Sequence, residues 1–536
     1  QAMNLGQLLA QTASLHPDRV GLIQGSRQWT WSEINARVDA MVSALRALGL
    51  KQGERILVQS RNNLALFESC WIAFRIGCVW VPTNYRLTPP EIAYLGASSG
   101  AKAMLYEADF AEHVDAVRVV SPALQHVVCI DRPRDAEHGY ETLVENHRCA
   151  KPEPASVTCD DPLWFFYTSG TTGKPKAAVL THGQMNFVVT NHLADLIPGT
   201  DETDCSIAVA PLSHGAGIHA LLNVARGAAT VLPESDKLDP DEFWRLVEQH
   251  RVSNLFTVPT IVKMLVEHPA VDQHDHSSLR YVIYAGAPMY RADQKLALRK
   301  LGKVLVQYFG LGEVTGCITV LPPRMHSVDD EDPNAPIGTC GYPRIGMEVA
   351  VLGDDLQPVA TGEIGEICCR GPAVLAGYYD SPEATAKALR GGWFHTGDLG
   401  KLDGRGLLYI TGRESDMYIS GGSNVYPREV EEVLLTHPGI AEVAVLGVPD
   451  EKWGEIGVAV IVRREGEAVL DQSGVLDHLE GRCAKYRWPR HMFFWDALPK
   501  SGYGKVVKKD VRRLLVERGE ISLPEQRAPE RQPASP

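Results

Sequence analysis

Ten consecutive residues, Tyr167-Thr168-Ser169-Gly170-Thr171-Thr172-Gly173-Lys174-Pro175-Lys176, concentrate hydroxyls, glycines and lysines between two apolar runs at 163–166 and 177–180. Glycine lets a backbone approach a ligand closely and turn its N–H groups inward. Hydroxyls donate to phosphate oxygens, and lysines add positive charge. The chemistry these types support together is the gripping of a nucleotide triphosphate. The Walker pattern is a different one: it has four residues between its glycines and a Ser or Thr after its lysine. Here two residues separate Gly170 from Gly173, and Pro175 follows Lys174. A polar turn between two strands is the plainer reading of the same stretch.

Other residues able to bind or react stand where apolar runs stop. Ala208-Val209-Ala210-Pro211-Leu212-Ser213-His214 reads as a strand ending in a loop, followed by an Ala- and Leu-rich helix. Taken alone, His214 is as well explained by structure as by catalysis. His268, His274 and His276 lie among Asp, Gln and Ser, a composition of a solvated turn rather than a metal site. Tyr281-Val282-Ile283-Tyr284 is a strand that ends at Gly286 and Ala287, and the run from Lys303 to Phe309 and Gly310 repeats the design. Glu313 follows directly. Asp398 closes Gly392-Trp393-Phe394-His395-Thr396-Gly397-Asp398, and alone would be a turn aspartate before a strand. Arg413 opens what reads as an exposed linker, Gly421-Gly422 a second small-residue turn, and Lys505 the end of a glycine-flanked turn.

The elements that must hold these residues alternate. Leu5, Leu8 and Leu9 have helical spacing, and Ile34, Val38, Met41, Val42, Leu45 and Leu48 share one helical face. Arg55-Ile56-Leu57-Val58 is a strand, and strand and helix patterns alternate to about residue 130, which indicates α/β layers. Residues 182–196 read as a helix. Past residue 427 a helical face of Val430, Val433 and Leu434 precedes strands near 443–446 and 458–461, a compact α+β unit. A chain of 536 residues suggests two or more domains, and net charge −13 argues against a nucleic-acid-coating surface. Eleven cysteines without a C-x-x-C pattern suggest neither zinc nor a disulfide framework. No basic-then-apolar leader and no run of membrane-spanning length are present, so the expected location is cytoplasmic.

Taken in order, the 167–176 loop, the proline-to-His214 segment, the Gly310–Glu313 region, the Asp398 motif, Arg413 and the Lys505 turn resemble the adenylate-forming superfamily of acyl- and aryl-CoA synthetases, adenylation domains and luciferases. The resemblance spans residue 4 to about 515. It implies an α/β fold: a large N-terminal domain of mixed sheets layered with helices, at 1–413, plus a small mobile α+β C-terminal domain at 418–520. Residues 414–417 would be the hinge, with Asp416 as its matching residue. The Pro-, Arg- and Glu-rich stretch 521–536 is expected to be disordered.

By the same resemblance, Thr168, Ser169, Gly170, Thr171, Thr172, Gly173, Lys174 and Lys176 bind the phosphates. Gly286, Ala287, Phe309 and Gly310 hold adenine, with Phe309 as its aromatic platform. Asp398 accepts from the ribose hydroxyls, and Arg413 reaches ribose or phosphate. Glu313 holds magnesium, since a hard cation next to a triphosphate takes carboxylate oxygen. His214 lines the junction of acyl pocket and pantetheine tunnel, Gly421 and Gly422 border the coenzyme A tunnel, and Lys505 serves adenylation. Several positions depart from the pattern: Ala177 for glycine, Ser213 for an aromatic, Gly312 for threonine and Ser415 for lysine. Gly312 removes a hydroxyl normally close to the α-phosphate, and Thr315 is a candidate to replace it.

The implied reaction uses ATP, Mg2+ and coenzyme A. A carboxylate attacks the α-phosphate, pyrophosphate leaves, and a thiol then displaces AMP from the acyl-AMP. Lys505 would act in the first half only, before the small domain rotates. Segments 213–222, 284–289 and 310–317 would wall the acid. They are rich in Gly, Ala and Leu, which favours an apolar fatty or aromatic acid, with Gly312 and Gly316 leaving room for it. The competing readings are a stand-alone enzyme loading a carrier protein, a luciferase-like oxygenase and a non-catalytic nucleotide sensor. Expected partners are the small molecules alone, without nucleic acid or membrane span, and a homodimer is left open.

Overall fold

A computed structural model describes residues 2–168, 174–466, 469–501 and 504–523. It divides into two units. The large one takes residues up to 289, 293–396 and 400–410; the small one takes 290–292, 397–399 and Thr411 onward. Among the described residues the strands form three sheets, of thirteen, eight and five strands.

In the large unit, apolar runs flanked by helices give parallel strands buried on both faces. The eight-stranded sheet has Arg55–Gln59, Val79–Pro82, Ala103–Tyr106 and His126–Cys129 in parallel. Pro162–Thr168 joins beside Val79–Pro82 and folds back as an antiparallel hairpin with Lys176–Thr181. The thirteen-stranded sheet carries a parallel series, Val20–Gln24, Ala229–Leu232, Cys205–Ile207, Asn254–Thr257, Tyr281–Tyr284 and Leu305–Phe309, in that spatial order. One expected strand shifts. Residues 208–210 lie outside the ladder, and the strand is Cys205–Ile207, with only the Ala208 N–H still donating to Val231 O at 2.9 Å. Apolar character persisted past the point where the chain leaves its neighbours to reach Pro211.

Helix starts follow side-chain capping. Thr30 Oγ1 accepts from the Glu33 N–H at 3.2 Å while Glu33 accepts from the Thr30 N–H, a capping box for Trp31–Ala47. Ile34, Val38, Met41, Val42 and Leu45 on that helix are all buried. Thr181 and Gln184 form the same box for His182–Asp195, so the hairpin passes straight into a helix without a loose joint.

The small unit is built on a long antiparallel pair, Ile440–Asp450 with Gly454–Arg463, to which His491–Trp495 adds in parallel. Alternation along the first strand sends Val443 and Val445 to one face, into a core with Val430, Leu434 and Leu479. Ala444, Leu446 and Val448 go to the other, against Val511 and Leu515 of helix Lys508–Glu517. Each sheet face is therefore covered by a helix.

Candidate active site

The hairpin places Phe166 opposite Ala178 and Thr168 opposite Lys176. Ser169, Gly170, Thr171, Thr172 and Gly173 lie outside the described residues. Of the two lysines, Lys176 begins the returning strand. The Lys174 ammonium lies 4.7 Å from the ring centroid of Tyr94, whose hydroxyl donates to Pro175 O at 2.9 Å.

Glu313 sits on the short turn Gly312–Val314, packed against both hairpin strands. Its carbonyl accepts from the Leu375 N–H at 2.8 Å, while the Ala376 and Tyr379 N–H groups donate to Val179 O and Ala177 O at 3.1 and 2.9 Å. Segment 375–379 thus ties Glu313 to the Lys176 strand. The Glu313 side chain is buried, and the Tyr378 hydroxyl donates to its Oε1 at 3.2 Å. Burial, reinforced by Glu313, pushes the Tyr378 phenol up, so it stays protonated and remains a donor. A carboxylate has about four acceptor positions, and one phenol leaves capacity for a hard cation.

Strands Tyr281–Tyr284 and Leu305–Phe309 run parallel with Tyr284 beside Gln307. Gly286 and Phe309 each follow by two residues, so they stand at the same level on neighbouring carboxyl ends. Such ends are where open α/β sheets bind ligands. Gly286 has φ +88°. Gly310 is required by close packing: a Cβ there would lie 2.3 Å from the Gly316 Cα.

Gly312 and Gly316 do not open a pocket as expected. A Cβ on Gly312 would sit 2.4 and 2.5 Å from Cε1 and Cδ1 of Phe166. Phe166 is buried, its ring centroid 4.6 Å from that of His214 and 5.7 Å from that of Trp164. The volume a threonine side chain would take is filled by this ring. Gly316, at φ +77°, would put a Cβ 2.4 Å from Cε2 of Tyr308. Thr315, the candidate to replace the missing hydroxyl, is 2 % exposed, so that hydroxyl lies in the interior. His214 stands at the N-terminal end of helix Gly215–Arg226.

Below Gly316 the fully buried Arg344 donates to Gly316 O at 3.1 Å, to His192 Nδ1 at 2.5 Å and to Asp195 Oδ2 at 3.2 Å. Burial, aided by Arg344, holds His192 far below the ordinary histidine range, so the ring is neutral, and because a guanidinium only donates, Nδ1 is its acceptor. Tyr308 packs nearly parallel to His192 and to Phe256, both at 5.8 Å. Sequence reasoning missed Phe166, Tyr378 and Arg344. Only the Gly312 departure hinted at Phe166, since a lost side chain must be filled from elsewhere.

In the small unit, Asp398 lies within strand Phe394–Leu402 rather than in a turn before it. It is 7 % exposed, with Arg413 Nη1 donating to its Oδ1 at 3.4 Å. Burial raises the Asp398 carboxyl to about 6, and Arg413 opposes the rise. Gly421 and Gly422, at φ +57° and +83°, form the two-residue turn between paired Ser420 and Ser423. Two positive φ angles in such a hairpin explain the glycines. Lys505 follows a turn closed by the Ser501 N–H to Lys505 O at 2.7 Å, with its neighbour Lys500 paired to Glu442 at 2.5 Å.

The histidine cluster is structural. His274 Nδ1 pairs with Glu248 at 2.8 Å, His268 accepts from the Ala270 N–H at 3.1 Å, and His276 packs on Trp244. Among the described residues, Glu366, Cys368 and His395 are grouped closely enough to ligate an ion. There His395 uses Nδ1 on Glu366 at 2.6 Å and Nε2 on Arg390 O at 2.9 Å, while the Arg390 guanidinium lies 3.2 Å from Glu366. A resident cation and committed ring nitrogens make this a structural network.

Parallel strands ending in a glycine turn and an aromatic, beside a Thr/Lys hairpin and a buried carboxylate, define a nucleotide-binding α/β class. Within it, the chain belongs to the AMP-binding enzyme family: that family's model matches residues 9–379, and the model of the AMP-binding enzyme C-terminal domain matches 429–505. The chain is 36% identical over 511 residues to a feruloyl-CoA synthase of Amycolatopsis sp, covering 95% of this chain and 98% of that one. It is 33% identical to an indoleacetate–CoA ligase of Aromatoleum aromaticum, over 96% of this chain and 99% of the relative. A solved Mycobacterium tuberculosis fatty acyl CoA synthetase superposes with TM-score 0.74 at 30% identity, covering 96% and 99% of the two chains. An anthranilate CoA ligase bound to anthranoyl-AMP shares the fold, with TM-score 0.88 at 23% identity over 97% and 98%. No helix among the described residues is long and apolar enough to cross a membrane.

Proposed function

We propose that this enzyme, an AMP-forming acid–CoA ligase, activates an apolar carboxylic acid, aromatic rather than long-chain, at the carboxyl strand ends beside the hairpin. The observation that carries the reading is the joining of Thr168, Lys176 and Glu313 into one hydrogen-bonded unit through residues 375–379. The relatives whose names describe feruloyl and indoleacetate substrates support the aromatic choice.

A carboxylate and a triphosphate are both anions, so their approach needs cations. Lys176, Lys174 and, from the small unit, Lys505 supply them and stabilise charge on the oxygens of the transition state. Glu313 is the residue that would hold Mg2+, which supplies further neutralisation of the phosphates. Asp398 accepts from the ribose diol in its ionised form. Phe309 stacks the adenine, a contact of roughly 1–3 kcal/mol in nucleic-acid binders. His214 borders the carbonyl that the thiol attacks. We place the hinge at 414–417 between an N-terminal domain at 1–413 and a lid at 418–520, and the enzyme in the cytoplasm.

Incubation with ATP, Mg2+ and a panel of acids, with and without CoA, tests the reading. AMP with an acyl-CoA supports it. Acyl-AMP that accumulates regardless of CoA would replace it with a carrier-loading enzyme, and absence of turnover with every acid would remove it.

A further inference from the structure

The last torsion of a glutamate side chain is broad, so the residue itself does not settle where its two oxygens point. At Glu313 a neighbouring segment settles it. The Leu375 N–H donates to the Glu313 carbonyl at 2.8 Å, and the Tyr378 hydroxyl, three residues on, donates to the side-chain Oε1 at 3.2 Å. One stretch of chain thus holds both ends of the residue. Tyr378 is itself held in place. Its N–H donates to Thr385 Oγ1 at 2.9 Å, that hydroxyl donates to Ser381 O at 3.0 Å, and Tyr378 is paired with Ala178 on the strand that Lys176 begins. The approach to Thr385 is close: at Gly377, with φ +155°, a Cβ would lie 3.0 Å from Thr385 Cγ2. The next side chain goes elsewhere. The Tyr379 ring centroid lies 4.7 Å from that of Phe165, and its hydroxyl accepts from Arg55 Nη2 at 3.3 Å. Of the two phenols in segment 375–379, it is that of Tyr378 that reaches Glu313.

A carboxylate accepts at both oxygens. With the phenol on Oε1, Oε2 is the oxygen with more acceptor capacity left. Mg2+ demands near-ideal octahedral geometry, which penalises a ligand free to swing. Groups that hydrogen-bond a ligating carboxylate are accordingly worth about 10- to 100-fold in metal affinity or activity. We propose that Tyr378 is a positioning residue for the divalent cation: its hydroxyl fixes the Glu313 carboxylate and leaves Oε2 as the oxygen offered to the metal. Without that hydroxyl the carboxylate must be ordered at the moment the cation binds, and the affinity falls by that cost. The inference rests on the reading of Glu313 as the metal-holding residue.

The test reads binding rather than turnover. Mn2+, which shares the preference of Mg2+ for carboxylate and water oxygens and is paramagnetic, is titrated by electron paramagnetic resonance into the full chain with α,β-methylene-ATP, whose α–β link cannot be cleaved. Affinity for the analogue is measured separately in EDTA. Tyr378→Phe, which loses one oxygen and keeps the ring, is expected to weaken Mn2+ binding about 10- to 100-fold, while analogue affinity in EDTA stays within about twofold of wild type. Its melting temperature checks the fold. Loss of analogue affinity by the same factor with and without metal would mean a packing role only and overturn the inference. Mn2+ affinity within about threefold of wild type in Tyr378→Phe, with Glu313→Gln weakening it tenfold or more, would overturn the inference and leave Glu313 as the metal residue. Mn2+ affinity unchanged in Glu313→Gln would remove that reading and the inference with it.

Discussion

Replacing Gly312 by alanine sets one methyl against the buried ring of Phe166. The added carbon would lie 2.4 Å from the ring, well inside van der Waals contact, and the ring is held by Trp164 and His214. Something must move. Overpacking a filled core costs roughly 1–3 kcal/mol. If that strain displaces Phe166 and with it His214, the barrier to adenylation rises by a similar amount, a rate loss of about 5- to 150-fold. The assay is single-turnover pyrophosphate release with saturating acid and ATP, alongside thermal unfolding of each variant. Phe166→Leu removes the ring and should make Gly312→Ala tolerable, so that the double variant recovers to within about threefold of Phe166→Leu alone. Gly312→Thr, which restores a hydroxyl, should likewise be tolerated only with Phe166→Leu. Equal cost of Gly312→Ala in both backgrounds would refute the coupling, as would a loss under about twofold in the parent.

Three further outcomes are expected. Lys505→Ala should abolish adenylate formation yet spare thioester formation from supplied acyl-AMP; equal loss of both half-reactions would contradict its assignment. The Asp398 carboxyl is raised to about 6 by burial, so acidification from pH 7 to 5 should protonate it and raise the KM for ATP, a dependence Asp398→Asn should lack. Finally, burial lowers His182 to about 4, and its Nδ1 accepts from the Leu5 N–H at 3.1 Å. The unfolded chain takes up this proton near pH 6.5 and the folded one does not, so this contribution to stability is present above that pH and lost as pH falls toward 4. From pH 7 to 5 it should amount to about 2 kcal/mol of the fall in unfolding free energy, missing in His182→Gln and measurable by urea titration.

Much of the layering can be read along the chain because it depends on near neighbours. The apolar runs at 163–166 and 177–180 became paired strands, and the helix begun by Thr30 and Glu33 buries the face its periodicity marked. Those signals are local: side-chain alternation, the 3.6-residue repeat and capping groups act within a few residues. The strand expected at 208–210 shows where local signals end, since apolar residues also line loops that pass beneath a helix.

What remained was decided by partners distant in sequence. Arg344 reads as a surface arginine until His192, 152 residues away, is seen to accept from it and Asp195 to balance its charge. Gly312 reads as an opening until Phe166 is seen to fill it. Thr230, Ser206 and Asn254 are ordinary strand residues whose alignment exists only through the register of three strands. Residue type and spacing determined which groups could do chemistry and which segments would form strands and helices. Close packing and strand register decided which of those groups meet, because volume can be filled only once and a pairing register belongs to no single segment.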